Sequence, residues 1–386
     1  MIIVGGGVTG LITAVECVLA GHEVTVLDRG PIPHSGSSSY DQHRVIRALG
    51  HNDQRSTHWS NTLHDRWLSL ERLLCAPQPH AKLYRRVGVV SAFPADEIES
   101  VAAHARNAGL SIRLVKPEEF PHVKFPAGSR GVLELDAGVL LADRVLWSAA
   151  RWLASQPSVR LRPRRAVSAV DTSTGRVKMA DGTIERGDLV LIACGPWSSA
   201  LVDLPTVLYR QTMVYLRPPN ALVDWWNNAP SVGRIGVDGR AWLMPPGDGT
   251  LLKISTHAAC REVADVDEPE STGEPLWRER ILQAGILTEI ERYTVVAVKR
   301  CHYTVDARSG TGSLVRVGPS VWARAASGGN GFRTAPIMAD QILNALGPPP
   351  SGAAPPAQNN RYKKGNRYEQ HQDRSAGDRQ RTQVVP

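Results

Sequence analysis

Apolar residues open the chain without alternation, as Ile2-Ile3-Val4, and give way at once to Gly5-Gly6-Gly7. An unbroken apolar run of this length reads as a strand covered on both faces. A helical pattern follows from about Thr9 to Ala20, and Glu23 to Leu27 reads as a second strand ending at Asp28. A further continuous run, Leu189 to Ala193, closes on the small residues Cys194 and Gly195, as expected of another buried parallel strand. Between these runs the period changes. Asp96 to Asn107 and Asp143 to Ala154 read as helices, the second turning Val145, Leu146, Ala149 and Leu153 inward. Ser111 to Val115, Arg130 to Leu135, Val159 to Arg162, Ala166 to Thr172 and Arg176 to Met179 read as short strands, with a hairpin turn at Asp181-Gly182. A second β-rich block covers Leu208 to Leu216, Val232 to Ile235, Ala241 to Met244 and Leu251 to Thr256. Pro275 suits the first position of a helix that runs on through Leu276 to Ala284.

The first strand, glycine turn, helix and acidic residue form a dinucleotide-binding fingerprint. Gly5 makes the tight turn, Gly7 lets backbone approach a pyrophosphate, and Gly10 lets helix and strand pack closely. The helix start directs free N–H groups and a positive dipole end at phosphate. Asp28, eighteen residues past Gly10, is placed to accept from ribose hydroxyls. A glycine-rich turn alone is a weak signal. With strand, helix and carboxylate all in place, the reading is an adenine dinucleotide site.

At 386 residues the chain can bury a large core and form two domains. It has no run of eighteen apolar residues, so no membrane span is expected. Cys17, Cys75, Cys194, Cys260 and Cys301 are odd in number and include no CxxC pair. This argues against a disulfide framework or a zinc site, and no metal is expected. A start inside the first strand leaves no room for a signal peptide, and the expectation is a cytoplasmic protein. The net charge of +8 invites a nucleic-acid reading, but seven Lys/Arg against three acids between Arg361 and Pro386 supply half of it. That proline-flanked stretch is nearly free of aliphatic residues and reads as a disordered, solvated tail. Neither nucleic acid nor membrane is expected as a partner.

After Asp28 the chain does not continue in βα units. It runs through the polar loop Pro31 to Ser39 into Tyr40-Asp41-Gln42-His43-Arg44-Val45-Ile46-Arg47. Far downstream, Gly328-Gly329-Asn330-Gly331-Phe332-Arg333 opens the last helix. This arrangement resembles flavoproteins of the D-amino-acid oxidase superfamily, and within it the monomeric sarcosine oxidase group, over residues 1 to about 346. The resemblance implies an α/β fold, a Rossmann-type FAD-binding domain interleaved with a β-sheet-rich substrate domain. The expected FAD segments are 1–83, 126–205 and 296–347, the substrate segments 84–125 and 206–295, and the tail 348–386.

The resemblance also implies roles for particular residues. Gly195, Gly329 and Gly331 join Gly5, Gly7, Gly10 and Asp28 around FAD, with the turn before Arg333 letting backbone pass close to a ring. Arg333 and Arg47 match the two cations that hold the substrate carboxylate, and a guanidinium suits that grip. An arginine at a helix start opposes the dipole and needs an anion to explain it, whereas Arg47 read alone is a solvated charge. Arg44 matches the arginine near the flavin ring. Lys253, with apolar neighbours on both sides, is either at a sheet edge or functional. The family match gives it the task of stabilising superoxide as oxygen takes its first electron. His257 matches an active-site histidine, with a satisfied strand histidine as the alternative. Trp242 stands where sarcosine oxidases carry tyrosine, which changes the pocket's shape and polarity. Cys301 matches the cysteine that forms a thioether to the flavin, with Lys299 and Arg300 favouring its thiolate and a free buried thiol as the alternative.

The implied activity is oxidation of an amino acid at its C–N bond, with a secondary or cyclic amine favoured and oxygen reduced to hydrogen peroxide. The implied partners are the small substrate and molecular oxygen, and the expected state is a monomer. Two rival readings remain open. One is oxidation or desaturation of an amino-acid-derived intermediate in specialised metabolism. The other is a dehydrogenase with a non-oxygen acceptor, against which Lys253 argues.

Overall fold

Ile3 pairs in parallel with Leu191 on one side and Val26 on the other, at the centre of a six-stranded sheet. The sheet runs Ser313–Arg316, Val321–Ala326, Val190–Ile192, Ile2–Val4, Val24–Leu27, Val159–Arg162, with only the Ser313–Arg316 edge antiparallel. The computed structural model describes residues 1–50, 57, 62–76, 81–269 and 276–348. Pro275 and the expected tail beyond residue 348 lie outside the described residues. The helix Val8–Leu19 follows the glycine turn and buries all but its last residue. Its Leu11, Ile12 and Val15 share a core with Phe332, Ala335 and Ile342 of the helix Gly331–Leu346. The helices Val8–Leu19 and Gly331–Leu346 thus start beside each other, with Val8 in reach of Gly331.

A nine-stranded sheet forms the second layer of the architecture. Its long element is Thr206–Arg217, which pairs with Thr294–Asp306 along its whole length. On its other side come Cys260–Glu262 along its first half and Leu252–Thr256 along its second, then Ala241–Met244, Ser231–Ile235, Val89–Pro94, Ser129–Glu134 and Ile112–Val115. Val214, Leu216, Val232, Leu243, Leu252 and Ile254 share its core. Membership of this sheet extends further than the sequence suggests. Ser129–Glu134 pairs with Val89–Pro94 and Ile112–Val115, and Thr294–Asp306 stays with Thr206–Arg217. The chain therefore leaves this sheet after Glu134 and after Asp306, rather than at 126 and 296. Backbone pairing, which sequence pattern does not reveal, sets these crossings. A small sheet of Arg44–Ile46, Gly138–Leu140 and Tyr84–Arg85 carries Arg44, and next to it Arg47, to the space between the two large sheets. No helix among the described residues is long and apolar enough to cross a membrane.

Candidate active site

One cavity of about 1050 Å3 runs between the two sheets. Its walls include Gly5, Gly7, Asp28, Arg44, Arg47, Gly195, Trp242, Lys253, His257, Cys301, Gly329, Gly331 and Arg333. Gly10, Lys299 and Arg300, also singled out from sequence, do not line it. A Cβ on Gly10 would fall 2.0 Å from the Gly5 carbonyl oxygen, so this position serves the packing of helix on turn. Gly5 has φ +113°, and a Cβ there would lie 2.4 Å from the Ala193 oxygen. Both glycines are sterically required, and they keep the helix start close under the turn. The Val8 N–H at that start donates to Ser39 Oγ at 3.0 Å.

Asp28 Oδ2 accepts from Gly6 N and Oδ1 from Gly30 N, each at 2.8 Å. A carboxylate has about four acceptor positions, so these bonds orient it and leave capacity for a ribose hydroxyl. Arg29 and Trp197 stack at the same end, with Cζ 4.2 Å from the ring centroid. The cavity therefore fits FAD: a glycine turn, a helix start and an oriented carboxylate lie at one end, and cationic side chains lie at the other.

Lys253 is wholly buried, on a strand interior to the nine-stranded sheet, opposite Tyr215 and Met244. The edge-strand explanation is thereby excluded. Its Nζ donates to Asp41 Oδ2 at 2.9 Å and to the His43 carbonyl at 2.8 Å. Asp41 is buried and also pairs with Arg44, while Tyr215 Oη donates to its Oδ1 at 2.5 Å. Burial, together with the charge of Arg44, pushes the Lys253 pKa well below its ordinary value. The adjacent Asp41 carboxylate acts in the opposite direction, favouring the charged ammonium. The Lys253 ammonium lies 5.9 Å from the Trp242 ring centroid and 5.8 Å from that of Tyr215.

Arg44 Nη2 donates to the Ser38 carbonyl at 2.8 Å and lies 3.8 Å from Cys301 Sγ. Lys299 donates to the Tyr40 carbonyl, and burial, together with the charge of Arg44, pushes its pKa below the ordinary value. Arg300, the next residue on the strand, bears instead on His302. Arg44 lies beside the Cys301 sulfur, and Lys299 and Lys253 are both close enough to interact with it. His257 lies exposed at the rim, in the single turn His257–Ala259.

Arg47 and Arg333 meet around one short backbone segment. Arg333 Nη2 donates to the Ala48 carbonyl at 2.7 Å, and Arg47 donates to the Leu49 carbonyl. The amides of Ala48 and Leu49 donate to the Glu134 carboxylate at 2.7 and 3.0 Å. Glu134 Oε1 is 2.6 Å from His64 Nε2, and His64 Nδ1 is 2.7 Å from Tyr84 Oη. Burial alone would raise the Glu134 carboxyl, but hydrogen bonds from His64 and the two amides hold it below the usual carboxylate range. Burial, with the charge of Arg333, pushes Arg47 down to about 9; Glu134 opposes this and Arg234 adds to it. Two guanidinium groups are thus fixed on a loop that one buried carboxylate holds.

Sequence reasoning missed Asp41, Glu134, Tyr215 and Arg234. The first two carry a local signal, being acids beside apolar or aromatic neighbours; the pairing that gives them meaning does not lie nearby in sequence.

The chain is 23% identical to peroxisomal sarcosine oxidase of Mus musculus, with 56% of each chain covered. It is 24% identical to N-methyl-L-tryptophan oxidase of Citrobacter koseri, over 67% of this chain and 69% of that one. The matched part spans little more than half the length of the sarcosine oxidases. Among solved structures, a fructosyl peptide oxidase superposes with TM-score 0.71 at 18% identity, covering 89% of both chains. NikD, an amino acid oxidase of nikkomycin biosynthesis, superposes with TM-score 0.68 at 16% identity, covering 90% of this chain and 96% of that one. At these identities the structural likeness shows the fold. Residues 1–344 match the DAO family, and the chain belongs to these FAD-dependent oxidoreductases.

Proposed function

We propose that the protein oxidises an amino acid at its C–N bond, with a secondary or cyclic amine favoured, and passes the electrons to oxygen with release of hydrogen peroxide. The observation that carries this reading is the pair Arg47 and Arg333 on the wall of the cavity that also holds the glycine turn. Two cations facing one cavity repel each other, and a bound carboxylate relieves that repulsion while fixing the amine beside it. FAD, when bound, supplies the two-electron acceptor. Gly5, Gly7, Asp28, Gly195, Gly329 and Gly331 would hold it, with Cys301 as the point of covalent attachment.

The amine gives up one hydrogen from carbon and one from nitrogen to become an imine, and oxygen takes up the same two hydrogens as peroxide. No side chain need act as a strong base when the amine binds neutral; the protein contributes orientation and charge. Arg47 and Arg333 orient the substrate. Lys253 keeps a positive charge in a dry wall, where negative charge developing on oxygen is favoured. Trp242 shapes the substrate end, and His257 stands at its entrance. The same reading takes the chain as a cytoplasmic monomer exchanging small molecules with solvent.

A panel of N-methyl and cyclic amino acids tested for oxygen consumption and peroxide formation examines this reading. Stoichiometric peroxide with at least one such amino acid is expected. Turnover only with an artificial electron acceptor would overturn the oxidase assignment.

A further inference from the structure

Ser231–Ile235 loses register with Ala241–Met244 between Gly233, which faces Trp242, and Ile235, which faces Ala241. Arg234 is the extra residue of this bulge, and its φ is +60°. That left-handed conformation crowds the Cβ of any residue but glycine, and such strain persists where the surroundings demand a particular side-chain direction. Bulges re-aim side chains next to binding sites. Here the re-aimed group is a guanidinium on the wall of the cavity that Arg47 and Arg333 also line. Its Cζ lies 4.6 Å from the centroid of the Phe93 ring, which supports the flat face and leaves the N–H edge for another group. Arg234 forms no ion pair with a carboxylate among the described residues.

Two guanidinium groups suffice to grip one carboxylate. We infer that Arg234 holds a second carboxylate, so that the substrate is an amino acid with an acidic side chain or an acidic N-substituent. The inference rests on the carboxylate clamp proposed above. It accounts for a strained arginine at a position where glycine would be free of strain. It also accounts for a third positive charge close enough to bear on Arg47.

The test is equilibrium binding of non-oxidisable acids to the FAD-loaded protein, read by calorimetry and by perturbation of the flavin spectrum. The probes are the dicarboxylates from malonate to adipate, each against the monocarboxylate of equal chain length. At least one dicarboxylate is expected to bind about tenfold more tightly than its monocarboxylate partner, the gain from one further charge-assisted contact. In Arg234→Gln and in Arg234→Gly, which tolerates the positive φ, the two classes should bind equally, each variant's own monocarboxylate affinity serving as its reference. Equal binding of both classes by the unmutated protein would overturn the inference and leave the clamp standing. So would an advantage that survives both substitutions. Failure of both classes to bind would remove the clamp, and this inference with it. The comparison on unmutated protein does not depend on either variant folding.

Discussion

Lys253 and Asp41, 212 residues apart in sequence, meet as a buried ion pair with Nζ 2.9 Å from Oδ2. Asp41 also takes Arg44 and the Tyr215 hydroxyl, so one carboxylate balances two cations in the cavity wall. Removing one member of a buried pair costs about 3–5 kcal/mol, because the remaining charge is left without compensation. Asp41→Asn should therefore lower unfolding stability by roughly that amount, read from denaturant midpoints. Lys253→Met should cost less, since Arg44 remains beside Asp41. Equal stability of Asp41→Asn and the unmutated protein would mean that the pair carries no energetic weight.

Lys253→Met should also separate the two halves of the reaction. Reoxidation by oxygen is expected to slow by roughly a hundredfold, the scale of losing a preorganised charge at a developing anion. Anaerobic reduction by substrate should change little. Rapid mixing of reduced protein with oxygenated buffer gives the first rate, and anaerobic mixing with substrate gives the second. Equal losses in both would assign Lys253 to substrate binding or to structure.

Glu134 makes the stability of the clamp loop depend on pH. Its carboxyl is held below the usual range in the folded protein, so the unfolded chain takes up the proton first as pH falls. The stabilisation is therefore complete above the unfolded pKa, about 4.3, and is lost as pH drops from there through the lower folded value. Glu134→Gln should be less stable at neutral pH and should show a flatter decline between about pH 5 and 3. Denaturant unfolding at stepped pH gives both slopes, and parallel slopes would exclude Glu134 as the source.

Cys301 lies half-buried on the cavity wall with Arg44 beside its sulfur. When the purified protein is precipitated with acid, the yellow colour is expected in the pellet, and Cys301→Ser should release it to the supernatant. Colour in the supernatant of the unmutated protein would exclude a thioether and leave FAD binding untouched.

Much of the site was legible where its signal is local. The strand, glycine turn and Asp28 lie within the first 28 residues, and each part has a steric or electrostatic reason readable in place. Lys253 stood out as a charge in an apolar strand, and Arg333 as a cation opposing a helix dipole. What the sequence did not show depends on which distant strands become neighbours. Asp41 gains its meaning only when Leu252–Thr256 is laid beside it, and Glu134 only when its carboxylate meets the amides of Ala48 and Leu49. Arg234 needs a bulge and a left-handed backbone that no propensity announces. The same cause displaced the expected crossings at 126 and 296, since hydrogen-bonding partners rather than composition decide which sheet a strand joins.

The carboxylate clamp is the centre of the functional reading, and paired substrates test it most directly. Losing one charge-assisted contact costs about 1.5–3 kcal/mol, so Arg333→Met should weaken substrate binding by roughly ten- to a hundredfold or slightly more. The decisive measurement is anaerobic bleaching of the flavin absorbance by a secondary amino acid and by its methyl ester. The free acid should bleach the unmutated protein at low concentration, and both the ester and the Arg333→Met variant should need far more. Equal bleaching by acid and ester, with Arg47 and Arg333 variants behaving normally, would contradict the clamp.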